Sequence, residues 1–242
     1  FGYSQMISAD MDSDGDLDLV CAYNFGGAIY SIANNGAANF SATPFTIVTG
    51  ITSVNNIVAG AFNGDRLMDV AATRASAFIW ILLQSTSGTY TTGTYSTATN
   101  TSLTKISIVD VDSDGDLDVA VLNPNDLKVL FMLNSGLGVL STPTSITSGS
   151  NVVFDYSFAD FDGDGDFDLS TNETNFVRIY KNTSGAFALY SSLNLGTNAL
   201  TIFTTGDMDN DGDIDIVGRR NNGVSTLLYF LPNSNNIKTS TN

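Results

Sequence analysis

The chain has 242 residues, of which 43% are hydrophobic, and its formal net charge is −16 at pH 7. A chain of this length and hydrophobicity can bury a sizeable core, which excludes a disordered polypeptide. Histidine is absent and Cys21 is the only cysteine, which excludes Ser–His and Cys–His nucleophile pairs, an internal disulfide framework and multi-cysteine zinc sites. The longest apolar run, residues 77–83, is too short to span a bilayer.

The acidic residues are concentrated in four copies of one motif. Twenty of the 24 aspartates lie at residues 10–18, 110–118, 160–168 and 207–215, with five in each cluster. A degenerate copy at residues 61–69 fills the gap between the first two clusters. The five copies recur about every 50 residues, which indicates a repeat architecture.

The predicted elements follow the same order in each repeat. A short segment rich in β-branched and aromatic residues precedes the cluster, a second follows it, a third comes after a polar turn, and a less regular fourth closes the repeat. In the first repeat these segments are 6–9, 19–22, 28–32 and 45–48. The first three segments of the later repeats are 57–59, 70–72 and 78–82; 106–109, 119–122 and 129–133; 156–159, 169–171 and 177–180; and 202–205, 216–217 and 227–231.

Four antiparallel strands per repeat of about 50 residues are typical of a propeller blade. The sequence therefore predicts an all-β fold, a β-propeller of five four-stranded antiparallel blades, with the acidic loop between the first and second strands of each blade. We expect one domain over residues 1–242, with repeats at roughly 1–50, 51–100, 101–150, 151–198 and 199–242. Cys21 is expected in the core.

The acidic loops have the chemistry of calcium sites. Five carboxylates within nine residues repel one another unless a cation lies among them. Their pattern places Asp at positions 1, 3, 5 and 9 and Gly at position 6, where Gly permits a left-handed backbone. Position 7 is expected to offer its backbone carbonyl and to leave its own carboxylate in solvent. Hard oxygen ligands without His or Cys favour calcium.

An EF-hand begins in the same way, but it needs a glutamate at position 12 and flanking helices, and these repeats have neither. The sequence therefore predicts four Ca²⁺ sites in loops between strands. The expected metal-site residues are Asp10, Asp12, Asp14, Asp16, Asp18, Asp110, Asp112, Asp114, Asp116, Asp118, Asp160, Asp162, Asp164, Asp166, Asp168, Asp207, Asp209, Asp211, Asp213 and Asp215. Calcium is doubtful at residues 61–69, where Ala61, Asn63 and Arg66 replace Asp, Asp and Gly. Arg66 could fold over the remaining acids as a substitute cation.

The repeats resemble the FG-GAP and VCBS-type calcium-binding repeats, including the blades of integrin α-subunit propellers. The resemblance rests on the opening residues 1–4, on the loop and following strand at residues 10–20, and on the turn at residues 34–36. It covers all five repeats and implies calcium ligation by motif positions 1, 3, 5 and 9 and by the carbonyl of position 7. Family propellers usually have seven blades, so the five repeats could form a ring, a fragment, or an arc completed by another chain.

The resemblance favours a secreted or cell-surface module that binds a glycan or protein ligand in adhesion. The alternatives are a structural subunit of a surface assembly and, less favoured, a polysaccharide-degrading enzyme. No catalytic residue is expected, because an acid pair outside the loops would have to come from Asp126, Asp155 and Glu173. Nucleic-acid binding is disfavoured, because the acidic loops repel phosphates.

The ligand is expected at the end of the blades opposite the calcium loops. Occupied loops are rigid, whereas the loops between the second and third strands collect amides, guanidinium groups and aromatic rings. The candidate ligand-binding residues are Tyr23, Arg74, Glu173, Arg219 and Arg220.

Overall fold

A computed structural model describes residues 3–23, 27–37, 39–51, 53–74, 77–86, 88–97, 102–196, 200, 202–221 and 226–231. Side chains are described for the same residues except 3, 202, 220, 221 and 226–231. The described residues form strands, turns and loops, with no helix among them that is long and apolar enough to cross a membrane.

Nineteen strands are described, in five antiparallel sheets. The first sheet contains β1 (Tyr3–Ala9), β2 (Asp18–Tyr23), β3 (Ala28–Ile32) and β4 (Phe45–Thr49). The second contains β5 (Val54–Gly60), β6 (Asp69–Arg74), β7 (Phe78–Gln84) and β8 (Tyr90–Ser96). The third contains β9 (Lys105–Val109), β10 (Asp118–Asn123), β11 (Lys128–Met132) and β12 (Thr144–Thr147).

The fourth sheet contains β13 (Val153–Ala159), β14 (Asp168–Glu173), β15 (Phe176–Thr183) and β16 (Ala186–Asn194). The fifth has three described strands, β17 (Ile202–Gly206), β18 (Asp215–Asn221) and β19 (Thr226–Leu231). Strands within each sheet are hydrogen-bonded in sequence order, so every sheet is an up-and-down meander. The predicted strand segments and the four-stranded antiparallel repeat are confirmed in four of the sheets.

The register of the first two strands fixes each acidic loop. Ala9 pairs with Asp18, Ala159 with Asp168, and Gly206 with Asp215. The last aspartate of the motif is therefore the first residue of the second strand, and the residues before it form the loop that joins the strands.

The chain divides into two compact units. The first comprises residues 1–108, 115–126 and 130–145, and the second comprises residues 109–114, 127–129 and 146–242. The second and third strands supply many of the core residues. In the first unit, Val20, Ile29 and Val70 are fully buried and belong to one hydrophobic cluster. Cys21 is a buried free thiol, as predicted.

Neighbouring sheets within a unit are joined through their first strands and through side-chain amides. In the first unit β1 contacts β5, and in the second unit β13 contacts β17. The Asn134 amide donates to the Phe62 carbonyl at 2.7 Å, and the Asn182 amide donates to the Val111 carbonyl at 2.7 Å. Gln84 reaches the Met11 carbonyl in the same way, at 3.0 Å. Each amide thus ties the end of a third strand to the acidic loop of the preceding repeat.

Candidate metal centres

The first aspartate of each intact loop organises the turn that follows it. Its carboxylate oxygens accept the N–H groups of motif positions 5 and 6. In the first loop, Asp10 accepts from Asp14 at 3.2 Å and from Gly15 at 3.0 Å. The loop beginning at Asp207 has the same bonds, at 3.2 and 3.1 Å. Gly15 has a φ of +93°, a conformation that explains the glycine at position 6.

The last aspartate of each loop is buried, and in the first and fourth loops it is fixed by two main-chain donors. Asp18 accepts the N–H of Met11 at 2.9 Å and the N–H of Asn34 at 2.7 Å. Asp168 accepts from Phe161 and Asn182 at 2.9 and 2.7 Å. This carboxylate therefore connects the loop to the end of the third strand, besides facing the centre of the loop.

Three aspartates of each intact loop converge. One carboxylate oxygen from each of motif positions 1, 3 and 9 lies within 4.8 Å of the others. The four groups are Asp10, Asp12 and Asp18; Asp110, Asp112 and Asp118; Asp160, Asp162 and Asp168; and Asp207, Asp209 and Asp215. Motif position 5 is not among the converging residues. In the first loop the carboxylate of Asp14 accepts the N–H of Asp16 at 2.9 Å.

The electrostatics of these groups fit a cation. Burial, followed by the charges of the other loop aspartates, raises the pKa of Asp12 and of Asp209. Burial is also the first cause that raises the pKa of Asp112. Oδ1 of Asp112 and Oδ1 of Asp162 are buried and have no hydrogen-bond partner among the described residues. Because a buried carboxylate oxygen without a partner is costly, these atoms suit a hard cation such as Ca²⁺ as the missing partner.

The loop at residues 61–69 keeps its shape without the converging acids. Asp69 is buried and accepts the N–H groups of Phe62 and Gln84 at 2.8 and 2.7 Å, as Asp18 does in the first loop. Asp65 accepts from the Asn63 amide at 3.1 Å and from the Leu67 N–H at 2.9 Å. Arg66 is exposed with a φ of +70°, and within the described part of the chain it forms no ion pair with either acid. The structure thus gives no support to the substitute-cation interpretation.

The sequence predicts that the carboxylate of motif position 7 lies in solvent, and Asp213 is indeed exposed, whereas Asp166 has protein partners. In the fourth loop, Asp166 accepts the N–H of Ser184 at 3.1 Å and the hydroxyl of Ser113 at 2.7 Å. In the first loop, the side chain of Asp16 lies close to Gly36 in the turn after the third strand. If Gly36 carried a Cβ, that atom would be only 2.4 Å from Oδ2 of Asp16. In the fourth loop, position 7 therefore joins the acidic loop to the turn after the third strand.

The fourth loop also has a basic neighbour that the sequence analysis missed. Nζ of Lys181 forms an ion pair with Asp162, and a second with Asp164 at 2.9 Å. These contacts lower the pKa of Asp164 and raise the pKa of Lys181 above its usual range. Lys181 is in β15, so only the strand register brings it to the loop.

The candidate ligand residues at the other end of the sheets differ in their surroundings. Tyr23 and Arg74 are half-buried, and the Arg74 guanidinium lies 5.4 Å from the ring centroid of Trp80. Arg219 is exposed on β18. The Arg220 side chain lies outside the described residues, as does the start of the motif at residues 1–2.

Glu173 is placed in the interior instead of at a receptor surface. Its side chain is fully buried and pairs with the Arg178 guanidinium, and it accepts the Thr171 hydroxyl at 3.0 Å. Burial raises the pKa of Glu173, and the Arg178 charge opposes that shift. Arg178 in turn lies 4.6 Å from the Phe176 ring centroid. A carboxylate enclosed in this way stabilises the fourth sheet and is not exposed to a ligand.

A profile of FG-GAP-like repeats matches residues 10–72, 62–121 and 110–171, which together are more than half of the chain. The chain belongs to the FG-GAP-like repeat family. The matched segments each run from one acidic loop to the second strand of the next repeat. A search of curated proteins gives no significant match.

Solved structures similar to this FG-GAP-like chain share its fold at low sequence identity. A lectin from Agrocybe aegerita that recognises non-reducing terminal N-acetylglucosamine has a TM-score of 0.65 and 16% identity, over 97% of this chain and 67% of the lectin. BBS1N, solved in complex with ARL6DN, has a TM-score of 0.62 and 14% identity, over 99% of this chain and 70% of BBS1N. The V. cholerae biofilm matrix protein Bap1 has a TM-score of 0.54 and 15% identity, over 96% of this chain and 38% of Bap1. These likenesses show an all-β fold of β-propeller type.

Proposed function

We propose that this FG-GAP-like chain is a calcium-stabilised β-propeller module that binds a glycan or protein ligand outside the cell. The observation that carries the proposal is the convergence of three carboxylates in each of four loops, with buried oxygens that lack a partner in two of them. The residues that would hold Ca²⁺ are those of motif positions 1, 3 and 9. The five repeats would be the blades.

The calcium requirement supports the extracellular location. Loops of this kind in extracellular modules bind calcium with Kd values of about 10⁻⁴ to 10⁻³ M, so they fill only where calcium is abundant. In a calcium-poor compartment, the converging carboxylates would repel one another. The module is therefore expected to be secreted or held on the cell surface.

The position of the ligand, at the end of the sheets opposite the acidic loops, is proposed from the chemistry and exposure of the side chains there. Tyr23, Arg74 and Arg219 lie on second strands, away from the acidic loops. A guanidinium beside an aromatic ring, as in Arg74 and Trp80, offers both planar hydrogen bonding and a stacking surface to a polar ligand. The solved lectin is consistent with a glycan as the ligand class, whereas Glu173 is withdrawn from the candidate set because it is buried.

A structural subunit is the second candidate, and catalysis is not proposed. Asp126 accepts the Asn123 amide at 2.8 Å, and Glu173 is paired with Arg178, so both have structural partners. The biofilm matrix protein among the similar structures is consistent with a packing role. The molecular mass in solution distinguishes a ligand-binding module from a structural subunit, because a structural subunit forms oligomers without an added ligand.

The test is a glycan array probed with the chain in calcium and in EDTA, together with its mass by light scattering. Arg74→Ala and Arg219→Ala should abolish binding, whereas Arg66→Ala, an arginine in a loop at the other end, should retain it. Melting curves in calcium check that each variant folds. Loss of binding with Arg66→Ala alone would place the ligand at the loop end. A calcium-dependent oligomer that binds no glycan would favour the structural subunit.

A further inference from the structure

The fourth loop differs from the first three loops at one neighbouring position. In the first four sheets, the residue after this position donates its N–H to the last aspartate of the loop at 2.7 Å. The pairs are Asn34 to Asp18, Gln84 to Asp69, Asn134 to Asp118 and Asn182 to Asp168. The preceding residues are therefore equivalent, and they are Ala33, Leu83, Leu133 and Lys181. Lys181 is the charged member of this set.

The Lys181 ammonium lies among the acids that would bind metal. It forms ion pairs with Asp162 and, at 2.9 Å, with Asp164. The other oxygen of Asp162 is buried and has no partner in the part of the chain that the structure describes. Asp162 belongs to the converging group with Asp160 and Asp168. The cation is held there by the strand, because Asn182, the next residue, is fixed to both Asp168 and the Val111 carbonyl.

We propose that Lys181 is a tethered cation that competes with Ca²⁺ for the fourth loop, so that this loop fills after the first and third loops. The inference rests on the proposed calcium binding of these loops and adds an order of occupancy to it. A bound Ca²⁺ must either displace the ammonium from Asp162 or accept a positive charge beside it. Both outcomes weaken binding at this loop and leave the loops with Ala33 and Leu133 unaffected.

The size of the effect follows from the charges. A single positive charge about 5 Å from a divalent cation costs enough in water to weaken binding about tenfold. At calcium concentrations that fill the first and third loops, Lys181 still neutralises part of the charge on the fourth loop. The fourth loop therefore keeps its fold through a range of calcium in which it is not yet occupied.

The experiment follows each loop separately by NMR with selective ¹⁵N-glycine labelling of the whole chain. The glycine at motif position 6 donates its N–H to the first aspartate, at 3.0 Å for Gly15 and Gly165 and 3.1 Å for Gly212, so its amide signal reports the state of its own loop. A calcium titration should move the Gly165 signal with a midpoint about tenfold higher than that of Gly15. The glycine signals are assigned by triple-resonance experiments on the uniformly ¹³C,¹⁵N-labelled chain, because the left-handed backbone at Gly15 and Gly165 rules out substitution there.

Three variants separate the charge from the side-chain volume. Lys181→Leu copies Leu133 and should lower the Gly165 midpoint to that of Gly15. Lys181→Arg keeps the charge and should leave the midpoint high. Lys128→Leu makes the same change in net charge at the opposite end of a third strand and should also leave it high.

The outcomes distinguish this inference from the proposed function. Equal midpoints for Gly165 and Gly15 in the unchanged chain, or a Gly165 midpoint unaffected by Lys181→Leu, would overturn the role of Lys181 while calcium binding stands. If no loop glycine moves at millimolar calcium, calcium binding itself is wrong, and the inference is overturned with it.

Discussion

The loops at residues 61–69 and 160–168 have the same backbone and different chemistry. In both, the last aspartate is buried and accepts two main-chain N–H groups at 2.7 to 2.9 Å. Only the fourth loop also brings three carboxylates together. The comparison separates two roles within the motif. The aspartate at position 9 attaches the loop to its sheet, whereas the aspartates at positions 1 and 3 add the carboxylates that a cation would need.

Removal of calcium tests whether the converging carboxylates of positions 1 and 3 bind a cation, and it should have the largest effect on stability. At tenfold excess over Kd, each of four sites would add about 1.4 kcal/mol to the free energy of unfolding, or about 5–6 kcal/mol in total. That is comparable with the whole stability of a typical domain, about 5–15 kcal/mol. The melting temperature should therefore fall sharply in EDTA and recover when calcium is restored. An identical melting curve in calcium and EDTA would contradict structural calcium.

Substitution of the last aspartate tests the structural role. Asp69→Asn should reduce the free energy of unfolding by about 2 kcal/mol, because an amide cannot accept both main-chain donors. The loss should be the same in calcium and in EDTA. The matched change Asp168→Asn should lower the free energy of unfolding by a similar amount in EDTA. In calcium it should lower it further, because the fourth loop also loses a metal ligand. Urea unfolding under both conditions gives the four values, and a calcium-dependent loss at Asp69 would refute the division of roles.

Restoring the degenerate loop tests whether the missing acids are sufficient. Ala61→Asp, Asn63→Asp and Arg66→Gly together rebuild the motif on a backbone that already has the required shape. Isothermal titration calorimetry should show one more calcium site than in the unchanged chain. The added site should stabilise the triple variant by about 1.4 kcal/mol at tenfold excess of calcium. An unchanged stoichiometry would mean that the loop lacks more than its acids.

The smallest effect is expected from Arg66→Gly alone. Arg66 has a left-handed backbone with a φ of +70°, which costs a residue with a side chain about 1–2 kcal/mol and costs glycine little. The single variant should therefore be more stable by about 1 kcal/mol or less, because glycine also gains freedom in the unfolded state. Thermal melts in EDTA provide the measurement. A clear destabilisation would revive the interpretation of Arg66 as a substitute cation.

The local features of the molecule were predictable from the sequence. The strand segments and the acidic loops depend on short patterns, so alternation, turn residues and motif spacing identify them. Convergence of motif positions 1, 3 and 9 follows from the loop alone, and Gly15 has the left-handed backbone expected at position 6.

Contacts between strands were not predictable in this way. Lys181 reaches Asp162 because the register pairs Leu169 with Tyr180, and one residue of slip would point the lysine away. Glu173 looked like a loop residue because it is acidic and lies among Asn and Thr, yet β14 extends through it and Arg178 on β15 pairs with it. Both contacts depend on the register between β14 and β15 or on the loop before β14, which a local sequence pattern does not specify.

The amides that join neighbouring repeats have a consequence for how the chain folds. The Met11, Phe62 and Val111 carbonyls are each capped by a side chain from the following repeat, so a repeat completes its hydrogen bonds only when the next one forms. In a one-dimensional array, such links make folding spread from repeat to repeat, with stability set by the nearest-neighbour coupling. Unfolding under force should accordingly proceed in steps of one repeat, with each step uncapping the carbonyl of its neighbour.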